Sequence, residues 1–184
     1  MEVRLLAYLP SRAVVEALER EGLSISEQEL LRHLAFTFAI SGISRACSHQ
    51  LVRHRLASFN QQSQRYVRVE GLADAAVVPP SISGHEDAEM VFRGLVRGAQ
   101  YAYERLLGLG VPEEDARAVL PNAAPTNLVM TMTGSALYHF FGLRCCNRAQ
   151  AEIRELADKM LVICRRVEPE LFRRAGPYCF QKGY

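Results

Sequence analysis

The chain is 184 residues long, 49% apolar and 23% charged, with a formal net charge of +2. This is the composition of an ordinary soluble globular domain with room for a proper core, and it is too weakly basic to advertise a nucleic-acid binder. Five cysteines without a Cys-x-x-Cys pair exclude a zinc ribbon and a disulfide framework, so Cys145 and Cys146 are expected as reduced thiols.

Val3, Leu5, Ala7 and Leu9 alternate with other residues and predict a first strand. Ser11 is placed to cap a helix carrying Val14, Val15 and Leu18, with Gly22 past its end. Ser26 and Glu29 form a capping box for a second helix, with Leu30, Leu31 and Leu34 on one face. Phe36, Phe38 and Ile40 alternate with Thr37, Ala39 and Ser41, a strand that Gly42 is expected to break. Residues 43–52 then read as helix, and the stretch after Arg55 as extended or loop. Residues 74–84, with Pro79-Pro80, read as a flexible connection.

From Glu86 a long helix carries Val91, Leu95, Ala99, Ala102 and Leu106 at spacings of three and four. Pro112 opens another, with the acidic first turn Glu113-Glu114-Asp115, and Pro121 ends it. Leu128, Met130 and Met132 mark a buried strand. Ser135 is then expected to cap a helix to Leu143, and Asn147 the last long helix, whose apolar face is Ile153, Leu156, Met160 and Cys164. The uneven interleaving predicts a single α+β domain over 1–184, a mixed or antiparallel sheet packed with several long helices. No signal peptide is evident, and the longest uncharged stretch, 118–143, holds prolines, asparagines, threonines and Gly134. A cytoplasmic protein with no membrane partner is expected.

The densest chemistry lies in 53–65, where Arg53, His54, Arg55, Gln61, Ser63 and Arg65 stand among further amides and only a few apolar residues. Such a segment cannot be core, and without glycine, proline or acid it is no linker. Guanidinium forks match phosphate oxygens, and amides and hydroxyls read polar ring edges, so a nucleotide-like anion is the expected ligand. If 61–65 is extended, Gln61, Ser63 and Arg65 share one side. Between two arginines, His54 is expected to be neutral. A solvated polar hairpin is the bland alternative.

Arg53-His54-Arg55, followed after seven residues by Ser63, resembles the signature of the flavin-dependent thymidylate synthases. Gln50 before it and Arg65-Tyr66 after it extend the likeness. A second block, Leu120-Pro121, Leu143-Arg144, Ala149-Gln150 and Glu152-Ile153, is similar to the family's C-terminal half. The resemblance implies reductive methylation of dUMP to dTMP, with methylenetetrahydrofolate as carbon donor and NADPH as reductant through FAD. It also implies a homotetramer with shared active sites. Gln50, Arg53, Gln61, Ser63, Arg65 and Arg117 would hold dUMP, and Arg144 would engage and activate its pyrimidine. Arg53, His54, Arg55, Gln61, Thr133, Ser135 and His139 would hold flavin.

Thr133 and Ser135 are shorter than the asparagine and arginine the family pattern suggests, and Gln61 stands where glutamate is frequent. Leu23-Ser24-Ile25-Ser26 also lacks the histidine of the family's His-x-Ser element. No Gly-x-Gly-x-x-Gly and no metal-spaced cluster is present in the sequence, so the chemistry would belong to a cofactor. The rival is a small RNA-binding module using the basic stretch 45–68 with Phe59 and Tyr66. It would be colourless and strongly salt-dependent.

Overall fold

The computed structural model describes residues 1–183. In chain order the elements are β1 (Glu2–Tyr8), α1 (Ser11–Arg20), α2 (Glu27–His33), β2 (Ala35–Ser44), α3 (Arg45–Leu51) and β3 (Ala57–Gln61). There follow α4 (Leu72–Ala75), α5 (Pro80–Ser83), α6 (Glu86–Gly108), and α7 (Glu113–Ala116) with a 3-10 turn at Arg117–Val119. The last elements are β4 (Pro125–Thr133), α8 (Gly134–Arg144), α9 (Ala151–Val167), α10 (Pro169–Phe172) and α11 (Tyr178–Lys182).

The α+β class expected from the sequence is what forms, with a four-stranded sheet ordered β1-β2-β4-β3. β1 and β2 run antiparallel, since the Leu9 N–H just past the end of β1 donates to the Ala35 carbonyl at the start of β2. β2 and β4 are antiparallel too: Thr37 meets Thr131 through their hydroxyls, while Gly42 meets Asn127. Among the described residues no helix is long and apolar enough to cross a membrane.

Two compact units can be described separately. The first comprises 1–40, 50–60 and 129–183. Strand alternation sends Phe36, Phe38 and Ile40 of β2 and Met130 and Met132 of β4 inward. Against them lie Leu137, Phe140 and Phe141 of α8 and the stripe Ile153, Leu156, Met160 and Cys164 of α9, all buried. Phe172 sits among Phe36, Tyr138 and Phe141, with ring centroids 5.5–6.2 Å away. Truncating so central a ring costs about 3–5 kcal/mol.

The second unit comprises 41–49 and 61–128. Here α6 buries Val96 and Tyr103, and Leu72, Val96 and Ala124 form a small core with Phe92 and Leu120 packed against it. The flexible connection expected at 74–84 instead holds the end of α4 and all of α5. The Gln100 side-chain oxygen accepts the Ala73 N–H at 2.7 Å, satisfying the first turn of α4, and Pro80 preorganises the start of α5.

Four local expectations are corrected. Gly42 does not end β2; at φ +69° it continues the strand, its N–H donating to the Asn127 side chain. Ser11 is the first residue of α1 rather than its cap, because the remote Glu168 carboxylate accepts both its N–H (2.7 Å) and its hydroxyl (2.6 Å). Thr133, not Ser135, caps α8, and Gln150, not Asn147, caps α9. In each of the latter two the cap lies where the backbone is still extended and the side chain reaches the third residue onward. The capping box of Ser26 and Glu29 is present as expected.

Candidate active site

In the first unit, α3 ends in a turn closed by the His54 N–H on the Leu51 carbonyl, which sets out Arg53, His54 and Arg55 in succession. The face of α8 carrying Ala136, His139 and Leu143 follows helical spacing, and Arg144 closes the helix. Together these residues bound a cleft of about 200 Å³. Met132, Ala136, Leu143 and Leu56 make its apolar wall; Arg53, His54, Arg55, His139 and Arg144 supply the polar heads.

The Arg144 Nε–H donates to His54 Nε2 at 3.0 Å. Arginine can only donate, so that imidazole nitrogen must carry a lone pair, and the His54 proton sits on Nδ1. Burial, the Arg144 charge and His139 together push the His54 pKa down to about 4. The neutral imidazole expected from the sequence is thus required by the geometry. The ring of Phe140 meets His54 edge-on at 4.9 Å and fixes its plane. None of the ion pairs among the described residues involves Arg53, Arg55 or Arg144. No carboxylate is among the described residues that line the cleft.

His139 joins this cleft, its Nδ1 lying 2.5 Å from the Tyr178 hydroxyl. Ser135, one turn earlier, lines a different cavity of about 610 Å³ with Glu27, Tyr138 and Arg174. The Thr133 hydroxyl accepts the Ala136 N–H as helix cap and does not line the cleft. Gln50 is half-buried in the last turn of α3.

The second unit holds Gln61, Ser63, Arg65 and Arg117. The extended reading of 61–65 fails, because β3 ends at Gln61 and the chain turns, with the Arg65 N–H donating to Ser63 Oγ at 3.2 Å. A serine hydroxyl accepting two residues on is a turn-forming bond, and it takes these side chains out of strand alternation. Gln61 Nε2 donates to Ser48 Oγ (3.0 Å) and Thr126 Oγ1 (3.1 Å), while the Ser48 hydroxyl donates to the Arg45 carbonyl. A glutamate at 61 has no hydrogen for Ser48, whose own hydrogen is committed, so glutamine suits this chain. Arg65 grips Glu114 Oε2 through Nε (2.9 Å) and Nη2 (2.7 Å), Arg68 pairs with Glu113, and Arg117 Nε donates to the Glu114 carbonyl.

Arg45 was not singled out by the sequence. It is partly buried, and burial together with the facing Arg117 lowers its pKa. The structure thus brings two guanidiniums toward each other within the second unit. Its one sequence signal is its place at the start of the basic stretch 45–68.

Comparison with known proteins bears on all of this. Residues 11–170 match the family described as Thymidylate synthase complementing protein. The chain is 54% identical over 157 residues to the flavin-dependent thymidylate synthase of Geobacter sulfurreducens, covering 85% of this chain and 68% of that protein. It is 47% identical over 165 residues to that of Sulfolobus acidocaldarius, covering 90% and 63%, and 49% identical over 162 residues to that of Nitratidesulfovibrio vulgaris, covering 84% and 65%. The chain thus spans about two thirds of the length of these relatives. In fold it is similar to the UMP/dUMP methylase PolB from Streptomyces cacaoi, solved with 5-Br dUMP. The TM-score is 0.77 at 24% identity, over 94% of this chain and 93% of that one. The chain belongs to the flavin-dependent thymidylate synthase family.

Proposed function

We propose that the chain catalyses reductive methylation of dUMP to dTMP, with methylenetetrahydrofolate as carbon donor and NADPH reducing bound FAD. The observation that carries this reading is Arg144: a guanidinium held through Nε by a neutral histidine, in an apolar-walled cleft free of carboxylates. Such a fixed cation stabilises negative charge developing on a pyrimidine without being quenched first.

The same cleft fits a flavin ring. A flat heteroaromatic with polar edges needs apolar faces and donors at its rim. Met132, Ala136 and Leu143 offer the first, and Arg53, Arg55 and His139 the second. When bound, FAD supplies the redox chemistry. The residues of this chain bind, orient and polarise: in the first unit His54 directs Arg144, and within the second unit Arg45 and Arg117, with Arg65, suit a phosphate. Gln50, Gln61 and Ser63 complete the nucleotide contacts in this reading.

A cleft of about 200 Å³ is smaller than the pockets that enclose whole cofactors. The remainder of the ligands would be covered by other copies in a homotetramer. Exposed Met90, Val91, Leu95 and Tyr101 on α6 give an apolar surface suited to such assembly. The enzyme would work in the cytoplasm on small molecules, without nucleic acid.

Anaerobic release of tritium from ring-labelled dUMP, with methylenetetrahydrofolate, FAD and NADPH present, tests the reading. Release dependent on all three co-reactants is the expected result. A flavin-loaded protein that releases none refutes it.

A further inference from the structure

We propose that Tyr178 is a positioning residue: its hydroxyl fixes the ring of His139 and so decides which imidazole nitrogen faces the cleft. Tyr178 lies outside the residues matched to the family and outside every motif in the sequence. Its Oη is 2.5 Å from His139 Nδ1. A phenol is a far better proton donor than the N–H of a neutral imidazole, so Tyr178 donates and His139 Nδ1 accepts. The imidazole proton then sits on Nε2, and His139 presents an N–H donor to a ligand in the cleft. Lys182 lies 5.1 Å from the centre of the Tyr178 ring, and that positive charge strengthens the hydroxyl as a donor.

The rest of the arrangement holds this contact in place. Gly142 leaves room for the phenol: a Cβ there would lie 2.6–2.9 Å from three carbons of the Tyr178 ring, so the ring would have to move. Gln181 Nε2 donates to the carbonyls of Tyr138 (3.0 Å) and Gly176 (2.6 Å), tying α11 to α8. His139 is exposed, and the Tyr178 hydroxyl is the partner that restrains its ring. An unrestrained exposed imidazole samples both tautomers and several rotamers, which weakens any site built on it.

The inference rests on the flavin reading only for the ligand that His139 serves. The full-length protein with FAD removed is labelled with nitrogen-15 on histidine, and the tautomer of His139 is read by long-range proton–nitrogen correlation. FAD affinity is then measured by quenching of flavin fluorescence. In the wild type, His139 is expected as a single tautomer with the proton on Nε2. Tyr178→Phe keeps the ring beside Gly142 but loses the hydroxyl; averaging of the two tautomers and a roughly 5- to 10-fold weaker Kd for FAD are expected. Gly142→Ala, which evicts the ring with its hydroxyl intact, should give the same averaging. An unchanged His139 spectrum or an unchanged FAD Kd in Tyr178→Phe overturns the proposal. A wild-type protein that takes up no FAD overturns the flavin reading instead, while the tautomer comparison still decides the role of Tyr178.

Discussion

The two arginine-rich regions solve the same electrostatic problem in opposite ways. In the first unit Arg144 is oriented by a neutral acceptor, His54, and keeps its full charge for a ligand. In the second, Arg65 and Arg68 are oriented by the carboxylates of Glu114 and Glu113, which cancel much of their field before any ligand arrives. Orientation by a neutral group leaves the charge of the guanidinium unquenched. Orientation by a carboxylate sets that carboxylate in competition with any other anion for the same guanidinium.

Removing the cation itself is the harshest way to break this contrast. Arg144→Ala should lower kcat/KM for dTMP formation by about 10²–10³-fold while flavin colour persists, read by tritium release and visible absorbance. Next comes the acceptor. His54→Phe leaves the Arg144 fork undirected and should cost roughly 10- to 100-fold in the same assay, whereas His54→Gln, which keeps an acceptor oxygen, should cost less.

The neutral histidine also predicts a pH signature. The folded-state pKa of His54 lies below the ordinary value of 6.5, at about 4, so the unfolded chain binds the proton first as pH falls. The stability linked to His54 is therefore complete above about pH 6.5 and is lost as pH falls toward 4. After screening at this partly exposed site it amounts to roughly 1–2 kcal/mol. Urea melts of wild type and His54→Gln across that window check it: the variant curve should be flatter. The smallest effect belongs to the second unit. Glu114→Gln releases Arg65 from its carboxylate and should tighten dUMP binding by roughly 2- to 5-fold at low salt, measured by calorimetry, with the gain shrinking as salt rises. Weaker binding would show that Glu114 places Arg65 rather than competing for it.

Alternation and spacing made the central strands and the α9 stripe readable, because burial of Phe36, Phe38 and Ile40 is written directly as a period of two. Arg53, His54 and Arg55 stood out by their own chemistry, but that His139 and Arg144 join them in one cleft was readable only through the family likeness, since those two lie some 85 to 90 residues further along the chain. What escaped was set by single side-chain atoms, most of them on distant partners. Glu168 moved the start of α1, Asn127 carried β2 past Gly42, and a serine-based turn ended β3 at Gln61. Arg45 was hidden because nothing local to it announces that Arg117 will face it. Ser135 and His139, four apart on one helix, open into separate cavities, which spacing alone would have merged.

The bond between Glu168 and Ser11 carries a consequence for biogenesis. During synthesis α1 leaves the ribosome without the carboxylate that will satisfy its first turn, and that acceptor is added only 157 residues later. The first unit is likewise assembled from early and late segments, with the second unit translated between them. Docking of the opening helix is thereby deferred until the late segments emerge, so nascent chains should stay protease-sensitive near residue 11 until then.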